Sequence, residues 1–186
     1  MNPLFIILGV IILLIVMIIG IYNRLIALRQ TCNQAWSDIE VQLKQRQDLI
    51  PGLVDVVKGY AKHEKETLQA VIDARNSAIS AKSMGDTVQA EGLLSQAMGK
   101  LFALAEAYPD LKANQNFLQL QDELSDVENK IAAARRFFNN SVQEYNTGIE
   151  QFPANMIAGS FSFEKRDFYE SLEGREALQT APDVSF

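Results

Sequence analysis

One cysteine and one histidine are all that 186 residues hold of the two side chains most often used as metal ligands, nucleophiles or bases. Cys32 alone can close no internal disulfide, which fits a reducing compartment. His63-Glu64 opens like a zincin helix, but Thr67 stands where the second histidine belongs. A metal there would lack its pair of neutral nitrogen ligands, so no metal site and no cofactor are expected. Cys32 lies on an apolar stripe and has no base other than His63 to activate it; it reads as a small hydrophobe. Positive charge is also scarce: 17 Lys and Arg stand against 23 Asp and Glu, a net charge of -6. Nucleic acid is therefore excluded as a partner, because phosphate neutralisation needs a basic surface.

Charge is wholly missing from Leu4 to Ile21, and no proline separates this apolar run from the polar, periodic chain after Tyr22. At about 1.5 Å per residue the run gives roughly 27 Å of helix, close to the ~30 Å hydrocarbon core of a bilayer. Asn2 can cap the start, and Pro3 sits where its missing donor costs nothing. Tyr22 then falls at the inner interface, where an amphipathic ring is favoured. A cleaved signal peptide would want basic residues before the run and small ones just after it; the flank reads Gly20-Ile21-Tyr22-Asn23-Arg24 instead, so the segment is expected to stay as an anchor. Arg24 and Arg29 follow the run, which puts the N-terminus outside and the body in the cytoplasm; a periplasmic body is the alternative. Labelling at Cys32 or at a tail tag would decide between them.

Beyond the run, Leu25, Leu28, Cys32, Ala35, Ile39, Gln42, Arg46 and Leu49 step by three and four, and Trp36, Leu43 and Ile50 widen the stripe. The first helix should run from about Pro3 to Leu49, roughly 70 Å, and stop or kink near Ile50, because Pro51 lacks an N–H. A second is expected from Pro51 to Ser80, with Val54, Val57, Ala61, Glu64, Leu68, Val71, Arg75 and Ala78 on one side. The third covers Thr87 to Ala107 after a turn at Met84-Gly85-Asp86, carrying Leu93, Leu94, Ala97, Leu101 and Leu104, and Tyr108-Pro109-Asp110 ends it. In the fourth, Phe117, Leu120, Leu124, Val127, Ile131, Ala134, Phe138, Ser141, Tyr145, Gly148 and Phe152 keep strict three-four alternation until Pro153. Such a run demands burial along a seam, as in a coiled coil or antiparallel bundle. Ser141 and Gly148 are small enough for another helix to approach there.

These segments predict an all-α chain: a transmembrane anchor over 1–22, continuous with a long antiparallel bundle of about four helices over 23–153, and a C-terminal extension over 154–186. Phe161, Phe163, Phe168 and Tyr169 would fold back onto the bundle, and the acidic stretch from Glu170 would be a mobile tail. Polar residues at or beside the seams are Gln42, Arg46, Glu64, Arg75, Glu128, Asn129, Arg135, Asn139 and Asn146. Buried charge is costly unless paired, so they should meet across helices, for example Arg46 with Glu64 or Arg135 with Glu128, and fix helix register.

The chain closely resembles the LemA family of bacterial membrane proteins. The matching stretches include Tyr22-Asn23, Ala35-Trp36-Ser37-Asp38-Ile39, Arg46-Gln47-Asp48-Leu49-Ile50-Pro51, His63-Glu64 and Ala74-Arg75. In the second half they are Tyr108-Pro109-Asp110-Leu111-Lys112-Ala113-Asn114, Glu128-Asn129-Lys130-Ile131-Ala132, Ala134-Arg135-Arg136, Tyr145-Asn146 and Phe152-Pro153. Phe138 departs from the pattern, since many members carry tyrosine before Asn139. The resemblance implies an anchored helical bundle in the bacterial inner membrane and no assigned reaction. It also implies gene neighbours that include membrane proteases of the HtpX type, and relatives among proteins of membrane-organelle formation.

Two functions from different classes are in view. The first is a non-enzymatic scaffold or adaptor in the membrane that forms homo-oligomers or binds a neighbouring membrane protein, such as an HtpX-type protease in quality control. Its seam argument is that the fourth helix, about 57 Å long, outruns the third and leaves part of its face to another copy. The second is an enzyme or metal-binding bundle that uses seam carboxylates, Glu64 and Glu128 with Asp48.

Overall fold

The computed structural model describes residues 3–169, and every regular element among them is helical. They are α1 (Pro3–Tyr60), α2 (Lys65–Ser80), α3 (Met84–Ala105), α4 (Pro109–Lys112), α5 (Gln115–Glu150) and α6 (Ala154–Ser160). The expected acidic tail from Glu170 lies outside the described residues.

α1 carries the apolar run, and none of that stretch is buried. From Leu4 to Ile19 the large apolar side chains are 41–69% exposed, on every side of the helix. A helix apolar all round with nothing packed on it needs an apolar solvent. One helix is thus long and apolar enough to cross a membrane and fits a single-pass anchor.

α1 does not end at Pro51. It runs through the proline for two and a half further turns, to Tyr60. Proline removes the N–H that would bond the carbonyl of residue 47 and crowds that carbonyl with its ring. The orphaned acceptor is recovered from outside the helix: Arg75 of α2 donates its Nε–H to the Gln47 carbonyl at 2.7 Å. A side chain on another helix replaces the missing bond, so the predicted break at Ile50 does not occur. The chain turns instead at Ala61–Glu64, after Lys58 has placed a positive charge against the negative end of the helix dipole.

Other boundaries follow ordinary capping chemistry. Ser83 accepts from the Asp86 backbone N–H at 3.1 Å and starts α3 at Met84, three residues before the predicted Thr87. Asn114 accepts from the Phe117 N–H at 3.0 Å and starts α5. Pro109 stands in the first turn of α4, where a missing donor is harmless.

The chain divides into two compact units, each drawing on both α1 and α5. One contains the chain up to Ser37 with Arg136–Phe168. Its core joins Leu25, Cys32, Ala35 and Trp36 to Phe138, Val142, Tyr145 and Ile149. The two helices run antiparallel there: Trp36 meets the Phe138 ring at 5.5 Å, Cys32 donates to the Ser141 carbonyl, and Leu28 approaches Gly148. Close approach at the small residues Ser141 and Gly148 is therefore realised by the chain's own first helix. Phe138, the departure from the family pattern, packs edge-on against the Trp36 ring.

The other unit contains Asp38–Arg135 and Tyr169. Ile50, Leu53, Val57, Leu94, Leu101 and Leu111 form its fully buried centre, with Val71, Phe117 and Leu124 around them. Leu93, expected on the inner face of α3, is 53% exposed; Met98 and Ala105 take inner positions instead, because the buried stripe of α3 runs through Leu94, Met98 and Leu101.

Candidate functional site

A single side chain, Arg46, organises the polar interior of the second unit. It sits on the apolar stripe of α1 between Leu43 and Ile50, and its side chain is fully buried. A buried guanidinium is tolerable only when its donors are met by charge. Arg46 Nη2 donates to Oε2 of Glu91 on α3, and Nη1 donates to Oε1 of Glu128 on α5. Nη1 also reaches Ser95 Oγ at 3.0 Å. Ser95 in turn donates to the Glu91 carbonyl at 3.0 Å.

The other Glu91 oxygen accepts from Gln47 Nε2, so the carboxylate, itself fully buried, is held at both ends from α1. Gln47 links the network to α2, because its backbone carbonyl is the one that takes the Arg75 bond. Four helices thus meet through Arg46, Gln47, Arg75, Glu91, Ser95 and Glu128. Burial would lower the Arg46 pKa, but the charges of Glu91 and Glu128 and their hydrogen bonds outweigh it, so the guanidinium is held above its ordinary value. Its Nε and the Oε1 of Gln42, one turn earlier, are buried without a hydrogen-bond partner in the protein.

Glu128 is the outward end of the network, with its side chain 45% exposed. It lines a groove of about 370 Å³ together with Ser95, Met98, Phe102 and Leu124. Its hydroxyls are those of Ser95 and Ser125, no imidazole or amine lines it beside them, and the one carboxylate on it is engaged by Arg46.

The remaining predicted seam residues disperse. Glu64 is the N-cap of α2 and accepts from the Tyr108 hydroxyl at 3.2 Å; it is not the partner of Arg46. Burial and the Glu64 carboxylate raise the Tyr108 pKa, which keeps the phenol a donor. Arg135 lays its guanidinium over the Tyr169 ring at 4.3 Å. Asn129 is exposed on α5, between the buried Val127 and Ile131 sides, and Asn139 is half-buried. Asn146, in the first unit, clasps the backbone of Arg166 in both directions at 2.9 Å, and Arg166 donates to Asn33 at 2.7 Å.

The carboxylates invoked for metal or acid–base chemistry are not gathered. Glu64 meets Tyr108, Glu128 meets Arg46, and Asp48 pairs with Lys44. Among the described residues no three His, Cys, Asp or Glu side chains come together in a way that could hold a metal ion. His63 is exposed in the turn before α2, so it belongs to no zincin-like helix. Cys32 is fully buried, donates to the Ser141 carbonyl at 3.1 Å, and has its pKa raised by burial against the opposing charge of Arg166. It is unsuited to labelling in the folded protein.

Glu91 is the residue that sequence reasoning missed. Its signal was its place, since Glu91, Leu94, Met98, Leu101 and Ala105 keep the three-four step of the buried face. Arg166 and Tyr108 carried no periodic signal.

An exposed apolar helix that runs on into a helical bundle clamped by a buried ion-pair network defines an all-α protein with the features of a single-pass membrane protein. The chain belongs to the LemA family, whose sequence model matches residues 35–186. It is 31% identical to Protein LemA of Metamycoplasma hominis over 153 residues, which span 81% of this chain and 67% of that protein. It is 23% identical to magnetosome protein MamQ of Magnetospirillum gryphiswaldense over 189 residues, spanning 88% of this chain and 70% of the other. Magnetosome protein MamQ 2 of Paramagnetospirillum magneticum is 22% identical over the same shares.

Proposed function

We propose that this protein is a non-enzymatic scaffold or adaptor, held in the bacterial inner membrane by α1, that gathers further copies of itself or a neighbouring membrane protein, an HtpX-type protease among them. The observation that carries the reading is the closure of the polar interior on itself. Arg46, Gln47, Glu91, Ser95 and Glu128 hydrogen-bond one another, and Arg75 bonds the Gln47 carbonyl, which ties α1, α2, α3 and α5 together. A catalytic interior would keep reactive groups aimed into a cleft. The two relatives named as magnetosome proteins are in keeping with work at a membrane.

The argument for self-assembly from an unfilled seam on α5 does not hold. Phe117, Leu124, Val127, Ile131, Phe138 and Tyr145 are all buried within one chain. Assembly would therefore use surfaces outside the seam, among them the exposed apolar faces of α1. Arg24 and Arg29 favour a cytoplasmic bundle.

The test is to express two differently tagged full-length copies at native level, capture one from solubilised membranes, and identify what accompanies it. Recovery of the second copy or of a membrane protease supports the scaffold, and Glu64→Gln, which keeps an acceptor for Tyr108, should leave that recovery unchanged. Capture of the tagged chain alone would overturn the reading.

A further inference from the structure

The end of the first unit beside the apolar stretch carries exposed apolar side chains that its own packing leaves uncovered. Phe152, just after α5, is 80% exposed; Met156, on α6, is 67% exposed; Phe161, just after α6, is 54% exposed. The opposite face of α6 is anchored, since Ile157 and Ala158 are buried. The position of this tip is set by contacts with the end of the apolar stretch. Phe161 and Phe163 meet the Tyr22 ring at centroid distances of 5.0 and 5.7 Å. Ile21, Leu25, Phe152 and Pro153 line one small cleft, and exposed Arg24 stands on its rim.

Tyr22 directly follows the last apolar residue of a helix stretch that fits a bilayer core, so the tip lies at the level where acyl chains give way to headgroups. Aromatic side chains are favoured at that level, and a cation beside them complements lipid phosphates. We infer that Phe152, Met156 and Phe161 form a second, interfacial membrane contact, dipping into the lipid surface next to the end of the apolar helix. The bilayer then holds the protein at two points, which fixes the tilt and rotation of the first unit that a lone spanning helix leaves free.

The inference rests on the membrane anchoring proposed above, and the experiment separates the two. Single-cysteine variants of the full-length protein, in a Cys32→Ser background, are labelled with an environment-sensitive fluorophore and placed in vesicles of phosphatidylcholine and phosphatidylglycerol. Helix content of each variant is checked by circular dichroism. The positions are Leu13→Cys in the apolar stretch, Met156→Cys at the tip, and Arg136→Cys at the far end of the same unit.

Lipids bearing a nitroxide near the headgroup end of the acyl chain should quench the label at 156 by at least about twofold, because an interfacial helix buries its apolar face roughly 5–10 Å into this zone. The label at 136 should be untouched, and the label at 13 should be quenched by nitroxides placed deeper in the chain. Quenching at 13 without any at 156 overturns this inference alone. No quenching at 13 overturns the anchoring itself. A label at 156 that is shielded from aqueous iodide yet indifferent to nitroxide lipids would assign the tip to a protein neighbour, which also overturns the inference.

Discussion

Replacing Glu91 with alanine should be the most damaging single change to the bundle. The substitution strips Arg46 of its fully buried charged partner and leaves the guanidinium with Glu128, whose side chain is 45% exposed, Ser95 and, at 3.4 Å, the backbone carbonyl of residue 91. Breaking a buried pair from one side costs about 3–5 kcal/mol, because the surviving charge stays desolvated. For a chain of this length each kcal/mol moves Tm by about 2–4 °C, so Glu91→Ala should lower it by roughly 6–20 °C. The assay is far-UV circular dichroism of the full-length protein in detergent, heated with and without the change. Arg46→Met combined with Glu91→Leu should recover most of the loss, since apolar replacement of both partners removes the uncompensated charge. A Glu91→Ala melt within about 2 °C of wild type, or a double variant as weak as the single one, would refute the claim that the network is a buried clamp.

Arg75→Met should cost about 1–3 kcal/mol by leaving the Gln47 carbonyl without a donor, and less than about 1 kcal/mol once Pro51→Ala restores the backbone N–H; equal costs in the two backgrounds, measured by denaturant titration, would dismiss the repair of the helix by Arg75. At Gly148 an added Cβ would lie 2.8 Å from the movable Leu28 Cδ1, so Gly148→Ala should stay within about 1 kcal/mol of wild type, helix propensity offsetting the crowding, while Gly148→Leu should destabilise by about 1–3 kcal/mol. Burial raises Cys32 above 9.0 and Tyr145 above 10.0, with Arg166 opposing both. A raised folded pKa means the stabilisation is whole below the ordinary value and is lost as pH climbs through the folded value. Unfolding titrations should therefore show stability falling above about pH 9, and Cys32→Ser should delay the onset to the phenol range.

The helical architecture was legible because each long segment repeats its apolar residues at three-four spacing, and a stripe of that length admits few other solutions. The seam of α5 is the clearest case, with Phe117, Leu124, Val127, Ile131, Phe138 and Tyr145 buried as their spacing demands, whereas Phe152, last in the same alternation, falls after the end of α5 and is 80% exposed. Pro51 misled because local chemistry says stop there, whereas the donor that repairs the helix lies on α2, 28 residues in sequence from the Gln47 carbonyl it meets. The network was half legible: Arg46 interrupts an apolar stripe and so had to be paired. Its partners could not be named, because spacing tells which face a residue occupies and not which helix stands opposite. Glu91 lies on such a face yet reads at first sight as one more charge on a solvated helix. Glu64 was misassigned for a related reason, since the turn at Ala61–Glu64 carries no proline and interrupts a pattern that looks continuous.

The most direct test of the scaffold account is the mass of the particle that full-length protein occupies when lifted from its own membrane in native lipid discs. The account predicts discs holding several copies, or one copy with a second membrane protein; discs that each hold a single copy and no other protein would contradict it.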